Sequence, residues 1–267
     1  MIFSQQAASA AQSKFDALLE RAGAQRKREL LAALEEAKAS VSEEVLLAAK
    51  WICANSPLSD LANYDFAIFL SCAEHGVYLR EHSPFAKDVP EDIFLNYVLH
   101  IRVNEEELCD CRKFFHSQLA GRVEGLSMRE AILEANYWNA ENVMYQATDG
   151  RTISAMGAYR SAYGRCGEES AFGVNVFRAL GIPARQIYTP GGPTVTTTTP
   201  GWRSGAMASG ISWAPASRRR CLTRAGLPTP PAGPCSSTAA ASVIFPGRRS
   251  SPKWAWPTSS TTSSSTP

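Results

Sequence analysis

A cysteine lies at the start of a helix pattern in residues 164–180, GRCGEESAFGVNVFRAL. Apolar residues recur at helical spacing after Cys166, and Gly181 and Pro183 predict where the helix ends. A thiol at a helix N-terminus faces unpaired backbone N–H groups and the positive end of the helix dipole, which both favour the nucleophilic thiolate. The same N–H groups can stabilise an oxyanion. Cys166 is therefore a candidate nucleophile.

The spacing is equally compatible with a small cysteine that only fills space at the start of a helix. Gly164 and Gly167 relax the turn around Cys166 and would leave its sulfur accessible, which suits catalysis. The spacing of these residues leaves both interpretations open.

The longer segment GRCGEESAFGVNVFRALGIPARQIYTP resembles the nucleophile segment of the transglutaminase-like superfamily, which has the papain-like fold for cysteine acyl transfer. The upstream stretches VPEDIFLNYVLHIRVNEE and NYWNAENVMYQATDGRTISAMGAYRSAYGRCGEES are similar to one bacterial branch of it. The resemblance runs from about residue 57 to Pro190. It implies that Cys166 is the nucleophile and that a histidine base and an acid follow on adjacent strands. Trp138 and Tyr163 are either neighbours of the oxyanion or part of an aromatic core.

The expected histidine is missing from the sequence after Cys166. In the family, the YTP strand is followed by a segment like RWAHxDDNHAWVEVW, whose second histidine is the base. This chain instead reads GGPTVTTTTPGWRSG, and no histidine follows His116. No downstream residue can therefore complete a Cys–His relay.

A one-base shift of the reading frame explains the loss. Threonine codons begin with AC, so in the neighbouring frame each threonine can become His, Asp, Asn or Tyr. Read this way, TVTTTTPGWRSG can decode as HCDDNHAWVEVW. The codon of the histidine base then overlaps the codon of Thr199. After Pro190 the amino acids whose codons have a middle A are missing except for Lys253. We therefore predict a frameshift after about Pro190.

Charge and composition divide the chain in the same place. Residues 191–267 contain eight Lys or Arg and no Asp or Glu, and the preceding part has a net charge of −6. Such a basic tail is typical of nucleic-acid-binding arms, but the frameshift accounts for it, and we predict no specific nucleic-acid partner.

The remaining pattern predicts an α+β fold in three parts. Residues 1–56 form a helical N-terminal region, in which Ser42 caps a helix. Residues 57–190 form the first part of a transglutaminase-like core, in which the Cys166 helix packs on an incomplete antiparallel sheet that begins at Arg185 and lacks its remaining strands. Residues 191–267 form a low-complexity tail that we expect to be disordered.

Two other groups of residues contain the side chains that metal sites use. Cys109 and Cys111, with His116 nearby, hint at a metal site, but their spacing is unusual and the segment is predicted to be helical, so that i and i+2 side chains diverge. His75 and His82 have no ligand partner at i+4. We predict no metal and no cofactor.

The sequence predicts the following function. The chain is a transglutaminase-like cysteine acyltransferase or peptidase that acts on a protein or peptide amide through a Cys166 thioester, inactive in this form because the histidine and acid are lost. The alternative is a noncatalytic helical binding or scaffold protein. No secretory signal or membrane span is evident, and the seven scattered cysteines fit a reducing cytoplasm.

Overall fold

The computed structural model describes residues 2–146, 150–189, 211–213 and 238–243. Within these ranges the chain is mostly helical, and a single π-helical turn at Leu95–Leu99 follows α6 directly. The helices are α1 (Gln5–Arg21), α2 (Ala24–Ala37), α3 (Glu43–Asn55), α4 (Leu58–Asn63), α5 (Phe66–His82), α6 (Glu91–Phe94), α7 (Arg112–Val123), α8 (Met128–Asn142), α9 (Ala155–Ser161) and α10 (Cys166–Ala179).

The first core is built by helices α1, α3 and α5, which pack side by side. Ser42 caps α3 as predicted, because its hydroxyl accepts a hydrogen bond from the backbone N–H of Val45 at 3.4 Å. The predicted boundary between residues 56 and 57 falls between α3 and α4. Apolar side chains from both sides of it share one cluster that extends to Leu108.

The second core surrounds α10. Helices α7, α8 and α9 pack against it, and an aromatic cluster fills the space between them. Trp138 and Tyr159 lie roughly parallel to the ring of Phe172, and Phe115 meets that ring edge-on with centroids 5.4 Å apart. Offset and edge-to-face arrangements of this kind are the favoured geometries for aromatic pairs.

The chain between the two cores is irregular from His100 to Cys111, so the helix predicted for the segment that begins EEELCDC is wrong in its first part. The buried carboxylate of Glu106 accepts hydrogen bonds from the backbone N–H groups of Val103 and Asn104 at 2.9 and 2.7 Å. This turn competes with helix formation. Helix α7 therefore begins only at Arg112.

Two small sheets flank α10. Strands β1 (Met144–Tyr145) and β2 (Tyr163–Gly164) pair in parallel. Strands β3 (Ala184–Thr189), β4 (Ile211–Trp213) and β5 (Thr238–Val243) form an antiparallel sheet in the order β3-β5-β4. Both β3 and β5 lie against α10. The predicted α+β class, with the cysteine helix on a short antiparallel sheet, is confirmed.

The sheet contains two strands that the sequence did not predict. Strands β4 and β5 come from the tail that was expected to be disordered, and β5 pairs with β3 along its whole length. The expectation that the first strand lacks a partner is therefore wrong. The rest of residues 190–267 lies outside the described residues, and the prediction of disorder there stays a prediction. None of the helices in the described ranges has the length and apolar character needed to cross a bilayer.

The turn after α10 predicts a stability effect. Gly181 has a φ of +85°, and a Cβ atom there would lie 2.9 Å from the Ser83 hydroxyl oxygen and 3.0 Å from the Cβ of Ala86. We expect Gly181→Ala to lower the free energy of unfolding by about 1–3 kcal/mol, because the left-handed backbone and the close contacts both disfavour a side chain. Urea denaturation measures the effect.

Gly121 provides the matched control, since it lies inside α7 and a Cβ there meets nothing within 4 Å. Gly121→Ala should leave stability unchanged or raise it by up to about 1 kcal/mol, because alanine is the better helix former. Equal effects of the two substitutions would contradict the packing described for Gly181.

Candidate active site

Cys166 is the first residue of α10, as the sequence predicts. Arg165 is the N-cap residue with extended backbone angles, and its backbone N–H donates to the Glu168 carboxylate at 2.6 Å. The Arg165 guanidinium also pairs with this carboxylate at 3.2 Å. Glu168 is buried and Cys166 is half-buried, so the helix start is held rigidly while the cysteine keeps contact with solvent.

The β1–β2 pair positions the turn that leads into α10. Gly164 pairs with Tyr145, and a Cβ at Gly164 would lie 3.1 Å from the Cβ of Glu168. A larger residue at this position would push the strand away from the first turn of α10. Gly164 therefore allows the backbone to approach the helix start closely, in addition to relaxing the turn.

Strand β3 brings Gln186 to the same helix start. Its side-chain amide nitrogen donates to the Gly167 carbonyl oxygen at 3.2 Å. Its Oε1 atom is buried and accepts no hydrogen bond from the described part of the chain. Sequence reasoning missed Gln186, because only the pairing of β3 beside α10 shows that it reaches the first turn.

The two aromatic candidates have different surroundings. Trp138 is buried and stacks against both Phe172 and Tyr159, with ring centroids 5.8 Å away in each case, so it belongs to the core. Tyr163 is 44 % exposed on β2, and the core alternative therefore does not apply to it. Tyr163 lies three residues before Cys166 on the surface.

His75 and His116 lie near the opposite end of α10 from Cys166. The Nε2 atom of His75 is 2.8 Å from the carbonyl oxygen of Ala179, and the His116 ring is 5.2 Å from the His75 ring between centroids. Ala179 is the last residue of α10. At a helix rise of about 1.5 Å per residue, it lies roughly 20 Å from Cys166.

The other two histidines lie on the same distant side. The backbone carbonyl of His100 accepts a hydrogen bond from the Arg178 guanidinium at 2.6 Å, near the end of α10. His82 stacks on Tyr78 with centroids 4.6 Å apart, and Tyr78 in turn contacts His116. The chain has four histidines, and the fold brings none of them to the cysteine.

The Cys109, Cys111 and His116 group does not form a metal site. Among the residues that the structure describes, no set of three or more His, Cys, Asp or Glu side chains is arranged to hold a metal ion. His116 instead packs against His75 and Tyr78.

The Cys166 helix and its supporting strand lie within a stretch that is similar to a known family. Residues 117–216 match the model of the transglutaminase-like superfamily. The resemblance inferred from the Cys166 segment is thereby confirmed, and the match continues beyond Pro190. No curated protein and no solved structure matches the chain significantly. The frameshift itself stays a prediction.

His75 is a buried residue of α5. Its burial predicts that the stability of the protein falls in acid. Burial lowers the pKa of His75 to about 4, well below its ordinary value of 6.5. The unfolded chain therefore binds a proton at a higher pH than the folded chain does, and stability falls as the pH drops from about 6.5 towards 4. We expect His75 to contribute a loss of about 2–3 kcal/mol over this range.

Urea unfolding at several pH values measures the loss. His75→Gln retains an N–H donor for the Ala179 carbonyl but does not titrate, so its stability should depend less on pH in this window. His82→Gln, which changes an exposed histidine, is the matched control and should follow the unsubstituted protein. An unchanged pH dependence in His75→Gln would contradict the assignment.

Proposed function

We propose that Cys166 is the nucleophile of a cysteine acyl-transfer or peptidase site of the transglutaminase type. The thiolate attacks the carbonyl carbon of a protein or peptide amide, the C–N bond breaks, and the amine leaves with a proton. An incoming amine or water then attacks the thioester and regenerates the thiolate. The observation that carries this proposal is the half-buried Cys166 at the first position of α10, a helix that is buried from Glu168 onwards.

The surroundings of Cys166 suit the charge that develops in this reaction. The first backbone N–H groups of a helix have no partner within the helix, and they stabilise both a thiolate and an oxyanion. The Glu168 carboxylate accepts from the N–H of Arg165, which precedes the cysteine, and the Arg165 guanidinium offsets its negative charge. The negative charge at the helix start is thus neutralised locally.

We propose that the 267-residue chain has little or no activity, because a base is missing beside the sulfur. All four histidines precede Cys166 in sequence, and the two that hydrogen-bond to α10, His75 and His100, meet its distant end. The predicted histidine base is encoded in the neighbouring frame at the position of Thr199. Thr199 itself lies outside the described residues. General-base catalysis supplies about 10²–10⁴-fold in rate, so its loss removes most turnover.

The second candidate function is that of a noncatalytic helical binding or scaffold protein acting in the cytoplasm. The distance between the histidines and the cysteine favours it for the chain as it stands. On this interpretation α10 is retained as the centre of the second core, and the cysteine has no chemical role. The substrate class, the cellular location and the absence of a nucleic-acid partner all remain proposals.

Labelling of Cys166 separates the two functions. A thiol-reactive amide probe is applied to the present chain and to a protein in which residues after Pro190 are replaced by the translation of the neighbouring frame. We expect the frame-corrected protein to react at Cys166 at least about a hundredfold faster, because the restored histidine would deprotonate the thiol.

Tryptic cleavage after Arg165 and Arg178 releases residues 166–178, whose one cysteine identifies the labelled site. Cys166→Ser in both proteins is the control for labelling elsewhere. Labelling of neither protein at Cys166 would favour the scaffold function. Equal rapid labelling of both would show that the histidine is not needed.

A further inference from the structure

The buried carboxylate of Glu168 connects three segments of the chain at the start of α10. Its Oε2 atom accepts hydrogen bonds from the backbone N–H of Arg165 at 2.6 Å and from the Nε–H of the same residue at 3.4 Å. Its Oε1 atom accepts from the Arg165 Nη2 at 3.2 Å and from the backbone N–H of Ile153 at 3.5 Å. Nη2 also donates to the Arg151 carbonyl oxygen at 2.7 Å. These contacts form the Glu168 network.

The Glu168 network places a buried negative charge beside Cys166. In each of its four contacts the Glu168 carboxylate is the acceptor, as expected of the ionised form. The Glu168 side chain has no exposed surface, whereas the Arg165 side chain is 32 % exposed. Arg165 and Glu168 lie on either side of Cys166 in the sequence, so the network fixes the backbone before and after the cysteine.

The Glu168 network differs from an ordinary helix cap. In α8, Glu130 accepts from the backbone N–H of the N-cap residue Ser127 at 2.9 Å, and Glu130 is exposed. Glu168 makes the same cap contact, but it is buried, it binds a guanidinium and it reaches a third segment at Ile153. A buried ion pair adds little net stability, because desolvation of both charges offsets their attraction. Its position beside Cys166 therefore favours a role at the sulfur.

We propose that Glu168 is a positioning residue that restrains the Cys166 thiol, an inference that rests on the nucleophile proposed above. Glu168 fixes the start of α10 and at the same time neutralises the Arg165 guanidinium. That cation is next to Cys166 in the sequence and would otherwise favour the thiolate, since an opposite charge nearby stabilises the ionised form. The sulfur is then reactive only when a separate base, such as the missing histidine, deprotonates it and supplies a positive charge.

Alkylation of the full chain at a series of pH values measures this restraint. Iodoacetamide is applied to the unsubstituted protein and to Glu168→Gln, and the tryptic peptide 166–178 reports the rate at Cys166. The glutamine keeps the size of the side chain and an acceptor for the Arg165 N–H, but it carries no charge. We expect the pH of half-maximal rate to fall by roughly 0.5–1.5 units, which is the effect of one nearby charge at effective dielectric constants from about 80 to about 20. At about pH 7 the rate should rise only about two- to sevenfold, because a more acidic thiol is also a weaker nucleophile.

Two further variants separate the effect of charge from a change in the fold. Glu130→Gln makes the same substitution in the cap of α8 and should leave the pH dependence at Cys166 unchanged. Arg165→Gln removes the cation and keeps the carboxylate, so the pH of half-maximal rate should rise. Its Cys166 peptide then runs from residue 161 to residue 178, because trypsin no longer cleaves before the cysteine. Circular dichroism checks that each variant is folded.

An unchanged or higher pH of half-maximal rate in Glu168→Gln, or an equal fall in Glu130→Gln, would overturn the proposal. If Glu168→Gln does not fold, Arg165→Gln decides, and an unchanged or lower pH there has the same consequence. So does the absence of labelling at Cys166 at every pH.

Iodoacetamide needs neither the histidine nor a turnover, so these rates are independent of the amide-probe experiment on the frame-corrected protein. That experiment can refute the acyl-transfer site while the restraint on the thiol is still observed.

Discussion

Complete burial of α10 is the constraint on which the second half of the structure depends. Every residue from Glu168 to Ala179 is buried, and only the first residues of the helix retain contact with solvent. A helix without an exposed face is stable only when other elements surround it. Helices α7, α8 and α9 and strands β3 and β5 provide these partners. The helix cannot rotate or slide without breaking this packing, so the position of Cys166 is fixed.

Polar groups inside this packing join the two cores. The guanidinium of Arg178 is fully buried, and burial lowers its pKa to about 9. It donates to the carbonyl oxygens of Ala184 and His100, and the neighbouring Arg112 donates to the same His100 carbonyl at 2.5 Å. A buried charge is tolerated when its donors are satisfied. The carbonyl groups at the end of the π-helical turn therefore hold the C-terminal end of α10 against the first core.

This arrangement separates the chemical groups of the chain into distinct regions. The histidines gather where the first core meets the end of α10, and Cys166 lies at the start of α10. The acyl-transfer chemistry proposed for Cys166 therefore does not use the histidines that the fold brings together. The base proposed for Cys166 is encoded only in the neighbouring reading frame, after Pro190.

The sequence by itself determined the features that depend on neighbouring residues. The start of α10 at Cys166, its end before Gly181, the cap at Ser42 and the strand after Pro183 all follow from local spacing and backbone preference. The resemblance to the transglutaminase-like superfamily rests on the same local segment, which the family match covers.

Only the tertiary structure decided which side chains meet. The irregular segment before α7 depends on the buried Glu106 carboxylate, and the proximity of Gln186 to Gly167 depends on how β3 lies beside the helix. Periodicity records which residues are apolar, but the hydrogen-bond partner of a buried polar group can lie anywhere in the chain, and its position is known only once the fold is formed.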